Sequence, residues 1–112
     1  MRYVAVLLVT LGIATAGVAS ASSRVTDVDY LRANRCKGLA EGLGGADTAN
    51  LEAMLKAEGR SRADAVIQRA SEEVARAKRE AGKADLKDRL SAELNGPCLA
   101  YMSGGKEMSS GH

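Results

Sequence analysis

The stretch SRADAVIQRASEEVARAKREA, residues 61–81, decides how this chain is read. Ala63, Ile67, Ala70, Val74, Ala77 and Ala81 recur at alternating spacings of four and three, which aligns them along one stripe of an α-helix. The seam is narrow and mostly alanine, so a partner helix can approach closely, and a tight antiparallel hairpin is the expected arrangement. Ser61 and Asp64 form a capping-box-like pair at its start, with Asp where Glu or Gln is preferred. Glu72 and Arg76, four apart in the favourable order, support the exposed side.

Beyond Gly82 the apolar face moves. Leu86, Leu90 and Leu94 share a stripe, but continuing the same helical phase puts Leu90 about 180° from Ala63. A straight helix from 62 to 95 would bury two opposite faces. The sequence therefore predicts a break near Gly82-Lys83-Ala84, with Asp85 capping a new helix that stops at Asn95-Gly96-Pro97.

Upstream, a first helix is expected from about Asp27 to Leu43, with Val28, Leu31, Cys36, Leu39 and Leu43 in one sector. Gly42, Gly44 and Gly45 end it by supplying left-handed conformations. Asp47 then caps a short helix whose Leu51, Met54 and Leu55 form one apolar turn before Gly59. No stretch alternates apolar and polar residues over strand length. The expected fold is all-α, a small bundle of about four helices.

The start of the chain reads differently. Arg2 precedes an apolar run from Val4 to Ala19, followed by the small-residue site Ala19-Ser20-Ala21, the pattern of a cleaved secretory signal peptide. An uncleaved anchor would need about 20 apolar residues; this run has 16, interrupted by Thr10, Gly12, Thr15 and Gly17. A second small-residue site, Ala14-Thr15-Ala16, leaves the cut position open. The expected organisation is a signal peptide over 1–21, a helical domain over 22–102 and a flexible tail over 103–112. The expected location is periplasmic or secreted.

Export changes the reading of Cys36 and Cys98, the only cysteines, because that compartment is oxidising. One bond between them would close a loop of about 63 residues and contribute about 4 kcal/mol in the chain-entropy model. Residues 22–112 contain only 14 Leu, Ile or Val, a thin core that makes such a staple weighty. A redox pair would more often be Cys-x-x-Cys.

Several function classes fail at the inventory. Residues 22–112 carry nine Arg and six Lys against six Asp and eight Glu, a net charge of +1, without the concentrated basic footprint of a nucleic-acid binder. The one histidine, His112, is the last residue of a Gly/Ser tail, so no triad has a placed imidazole. Zinc, c-type haem and calcium spacings are missing, and no metal or cofactor is expected. The glycines of residues 37–45 lack the Gly-Lys-Ser/Thr and the preceding strand of a phosphate loop. An enzyme is not expected.

Two features invite a binding role. Arg62, Arg69, Arg76 and Lys83 recur every seven residues, one position before Ala63, Ala70, Ala77 and Ala84, and would line one flank as a basic stripe about 30 Å long. They either meet an anionic surface or form a solvated flank whose alkyl stems cover the alanine seam. Arg32 and Arg35 fall inside the apolar sector of the first helix. Each either pairs with a carboxylate of the chain or meets an acidic group from outside, in a binding groove.

In gross plan the chain resembles the small periplasmic acid-stress chaperones: exported, about 90 residues, helical, with one long-range disulfide. The resemblance covers size and cysteine number and no motif. The absence of Phe and Trp removes the large apolar side chains that client-binding surfaces favour. The leading expectation is a non-enzymatic exported protein that binds a protein or envelope component. The alternatives are a stress-responsive chaperone-like protein and a surface-active protein that uses the basic stripe on anionic membranes.

Overall fold

A computed structural model describes residues 25–104, of which 76% are helical. The expected signal peptide over 1–21 and residues 105–112 of the expected tail lie outside the described residues. Five α-helices follow in order: α1 (Asp27–Leu43), α2 (Ala49–Gly59), α3 (Asp64–Ala81), α4 (Lys87–Leu94) and α5 (Leu99–Met102). A 3-10 turn, Ala84–Leu86, precedes α4, and no strand occurs among the described residues.

α1 starts where the sequence placed it, through a cap that was not anticipated. The Thr26 hydroxyl accepts from the Asp29 N–H at 3.1 Å, and the Asp29 carboxylate accepts from the Thr26 N–H at 3.2 Å. This reciprocal box stands at Thr26–Asp29 and not at Ser61–Asp64. The Ser61 hydroxyl instead donates to the Glu58 carbonyl, and α3 begins behind an extended Ala63 with no side-chain cap. Asp47 supports α2 from two positions away, accepting from the Ala49 N–H at 3.0 Å.

α1 is the centre of the bundle. Its buried residues, Tyr30, Ala33, Asn34, Cys36, Gly38, Leu39 and Ala40, point in nearly every direction round the axis, and α2, α3, α4 and α5 all pack on it. A single apolar sector was expected, and Val28 within that sector is 55% exposed. The difference follows from small residues: Ala33, Gly38 and Ala40 bury easily on faces that a hydrophobicity pattern counts as neutral.

The α1–α3 pair is close and parallel, which corrects the expected antiparallel hairpin. At one end Arg62 reaches the Asp27 carboxylate at 2.6 Å, just ahead of both helices. At the other, Lys78 meets Glu41 at 2.9 Å and Ala81 faces Gly42. α2 is the return leg, and its last residue, Gly59, rests against the Tyr30 hydroxyl. The close approach needs glycine on α1: a Cβ at Gly38 would stand 2.5 Å from the Val74 carbonyl oxygen and 2.7 Å from the Ala77 Cβ. A Cβ at Gly42 would stand 2.6 Å from the Ala81 Cβ. Gly42 is thus a packing residue inside the helix, whereas Gly44 and Gly45, at φ 76° and 85°, carry the chain out of it.

The break after α3 is present. Gly82 closes the helix with ordinary right-handed geometry, and the turn is made at Lys83, which is extended. This lets Leu90 and Leu94 join the core that Ala70, Ala77 and Ala81 enter from α3. The chain then runs back along α1. Cys98 bonds Cys36 with a Cα–Cα distance of 5.7 Å, and the Tyr101 hydroxyl donates to Asp29 at 3.4 Å. Ser103 and Gly104, expected in the tail, are half-buried, with Gly104 against Asn50.

Candidate functional site

The sequence singled out three groups of residues, and the structure gives each a different setting. Arg62 precedes α3 and does not lie on its flank. Its side chain is 12% exposed and is held by Asp27 at 2.6 Å, the Val25 carbonyl at 2.6 Å and Glu58 at 2.9 Å. Its guanidinium carbon sits 5.4 Å from the centre of the Tyr30 ring. Burial works against the charge, and hydrogen bonds to Asp27 and Glu58 outweigh burial, so its pKa stands above the ordinary value. Arg62 pins together the starts of α1 and α3 and the end of α2.

The basic stripe loses its first member in this way. Arg69 and Arg76 are on the exposed side of α3, and both lean on Glu73, at 4.0 and 2.7 Å. Lys83 lies past the end of the helix, in the turn. What remains is two arginines sharing one carboxylate, which is weak support for a recognition surface.

Arg32 and Arg35 separate. Arg35 is a clamp: its Nε and Nη2 donate to Glu93 at 2.7 and 3.0 Å, and its Nη1 donates to Glu80 at 2.7 Å. The hydrogen bond to Glu93, opposed by burial and reinforced by Glu80, raises its pKa further above the ordinary guanidinium range. Glu80 is held below its ordinary value, chiefly by the Arg35 hydrogen bond, against burial and with help from Arg76 and Arg89. One side chain of α1 thereby ties the end of α3 to α4. Those are the two acids that the sequence could not name.

Arg32 is exposed, and no carboxylate among the described residues forms an ion pair with it. It stands on the wall of a cleft of about 550 Å3 formed by the Arg35–Glu93 pair, the Cys36–Cys98 disulfide, Pro97 and Tyr101. The Tyr101 phenol is pushed up, first by burial and then by the Asp29 charge, against the lowering effect of the Arg32 guanidinium beside it, so it is a neutral donor at physiological pH.

A second concavity, a groove of about 430 Å3, runs between α1 and α3. Ile67, Ala70 and Val74 form its floor, Ala75 stands on its wall, Tyr30 closes one end, and Lys37 and Lys78 stand on its rim. Both lysines approach Glu41, at 3.9 and 2.9 Å, so the rim keeps a net positive charge, and no carboxylate lines the groove. The sequence reading missed this groove. Its signal is the pair Gly38 and Gly42, four apart on α1 and opposite the alanine seam, of which Gly42 reads in sequence as a helix terminator. Asn34, buried beside it, donates to the Tyr30 carbonyl at 2.9 Å.

No group of three or more Cys, His, Asp or Glu is placed to hold a metal ion among the described residues. No helix among them is long and apolar enough to cross a membrane. Comparison with family models, with curated proteins and with solved structures finds no match.

Proposed function

We propose that this is a non-enzymatic, exported protein that acts by binding a partner protein, and that the groove between α1 and α3 receives it. The observation that carries the reading is the combination of an apolar floor open to solvent with two lysines and no lining carboxylate. Ile67, on that floor, is 37% exposed. Such a surface suits a partner segment that places an apolar side chain between the helices and an acidic one at the rim. The disulfide supports an oxidising compartment, periplasmic or extracellular.

The test is capture from envelope extract under oxidising conditions by wild-type protein and by Ala75→Glu. Ala75 is exposed on the groove wall, so the substitution adds bulk and negative charge without touching the core. A partner retained by the wild type and lost by Ala75→Glu at unchanged melting temperature supports the reading; identical capture by both ends it.

A second reading, a chaperone-like protein that loosens in acid, draws support from the Arg35 clamp, whose strength depends on ionised Glu80 and Glu93. It requires that the protein suppress aggregation of a client near pH 3 and fail to do so at pH 7. A protein equally inactive at both values would exclude it.

A further inference from the structure

We infer that the cleft beside the disulfide is a binding site for an apolar carboxylate, a carboxylate group carried on a hydrocarbon or apolar side chain, with Arg32 as its anion-binding group. The cleft is separate from the α1–α3 groove and does not depend on it. Its size, about 550 Å3, is in the range of small-ligand sites. The disulfide, Pro97 and the Tyr101 ring give it apolar walls. Val28, one turn before Arg32 on the same side of α1, is 55% exposed. An exposed apolar side chain, Val28, thus shares the face of α1 that carries Arg32.

The charges around the cleft leave Arg32 without a carboxylate partner, its guanidinium facing the neutral Tyr101 hydroxyl. Arg35 has its Nε, Nη1 and Nη2 all donating to Glu80 and Glu93, so its fork is closed to a ligand. The same contacts occupy both oxygens of Glu93, the one acid lining the cleft. Asp29, nearby, is engaged by Thr26 through one oxygen and by the Tyr101 hydroxyl through the other. Arg32 faces none of these as an ion-pair partner, and a guanidinium against apolar walls attracts a carboxylate more strongly than one in bulk water does. A free fatty acid and the C-terminal residue of a peptide share this chemistry.

The experiment titrates the oxidised full chain with octanoate, with octanol, and with an N-acetylated Ala-Leu dipeptide bearing either a free carboxylate or an amide. Binding is followed by amide chemical shifts. Octanoate or the dipeptide acid should perturb residues 32 and 98–101, and octanol or the dipeptide amide should bind at least about tenfold more weakly. Octanoate alone would identify a free amphiphile, and the dipeptide acid would identify a chain terminus. Arg32→Gln should weaken binding about tenfold at unchanged melting temperature, since Arg32 is exposed. Ala75→Glu should leave it intact, which separates this site from the groove. The inference fails if neither acid binds, if the uncharged analogues bind equally well, or if Arg32→Gln binds as the wild type does.

Discussion

The two sides of α1 are held by opposite means. Toward α3 the contact is steric: Gly38 and Gly42 against Val74, Ala77 and Ala81, with backbones so close that no Cβ fits between them. Toward α4 and α5 it is made by clasps: a covalent bond at Cys36–Cys98 and a charged one at Arg35–Glu93, which also takes in Glu80 at the end of α3. Close packing of small side chains is indifferent to redox state and nearly so to pH. The clasped side answers to both. In a chain with so few large apolar residues, stability is thus divided between a seam held mainly by close packing, with ion pairs only at its ends, and a flap that answers to redox state and pH.

The largest effect should come from opening the covalent clasp. Reduction, or Cys98→Ala with Cys36→Ala, removes a constraint on 62 residues of chain and should cost about 4 kcal/mol in denaturant unfolding. Hydrogen exchange should show α4 and α5 losing protection well before α1 and α3. Equal loss on both sides would mean that the two regions are one cooperative unit.

Next in size is a direct blow to the steric side. Gly38→Ala gains helix propensity but drives a methyl into the Val74 carbonyl and should destabilise by about 2 kcal/mol. The same substitution at Gly82 is its control. That residue has right-handed geometry, and an added Cβ comes no closer than 3.4 Å to the Arg79 carbonyl oxygen, so stability should change by about 0.5 kcal/mol or less. Chemical denaturation of the two variants measures the contrast, and similar losses in both would refute the seam.

The smallest effect is acid release of the charged clasp. Glu80 has a folded pKa below its ordinary value of 4.5, so its contribution is fully present above that value and is lost as pH falls through the depressed one. Stability should decline as pH falls below about 5, with the end of α3 and the turn after it exchanging first. Glu80→Gln should be less stable at pH 7 and show a flatter acid limb. An unchanged limb would mean that Glu80 does not carry the effect.

Much of the fold was legible because its signals are periodic. The seam of α3, the limits of α1, the apolar turn of α2 and the break after Gly82 all follow from spacing. Helix direction was not legible, because an alanine stripe fits a parallel partner as well as an antiparallel one. The true partner was hidden in Gly38 and Gly42, whose lack of a side chain leaves no mark on a hydrophobic pattern. The capping box was found in the right form at the wrong place, since Thr26–Asp29 and Ser61–Asp64 look alike until the backbone commits to a start. The candidate site was half visible. An arginine in an apolar sector could be flagged, but only three-dimensional placement separates Arg35, bound on all sides, from Arg32, left open.

The parallel pairing of α1 and α3 has a kinetic side. Two helices that point the same way cannot zip together from a tight turn, and the twenty residues between Leu43 and Asp64 must first carry the chain back to its starting level. Most of that distance is covered by α2, so the rate at which α2 forms and docks sets how soon the seam can close. The helix that brings Leu51, Met54 and Leu55 into the core therefore also acts as the timing element of assembly. Glycine placed at exposed positions such as Glu52 or Lys56 should slow refolding, with little change in the rate at which the finished molecule comes apart.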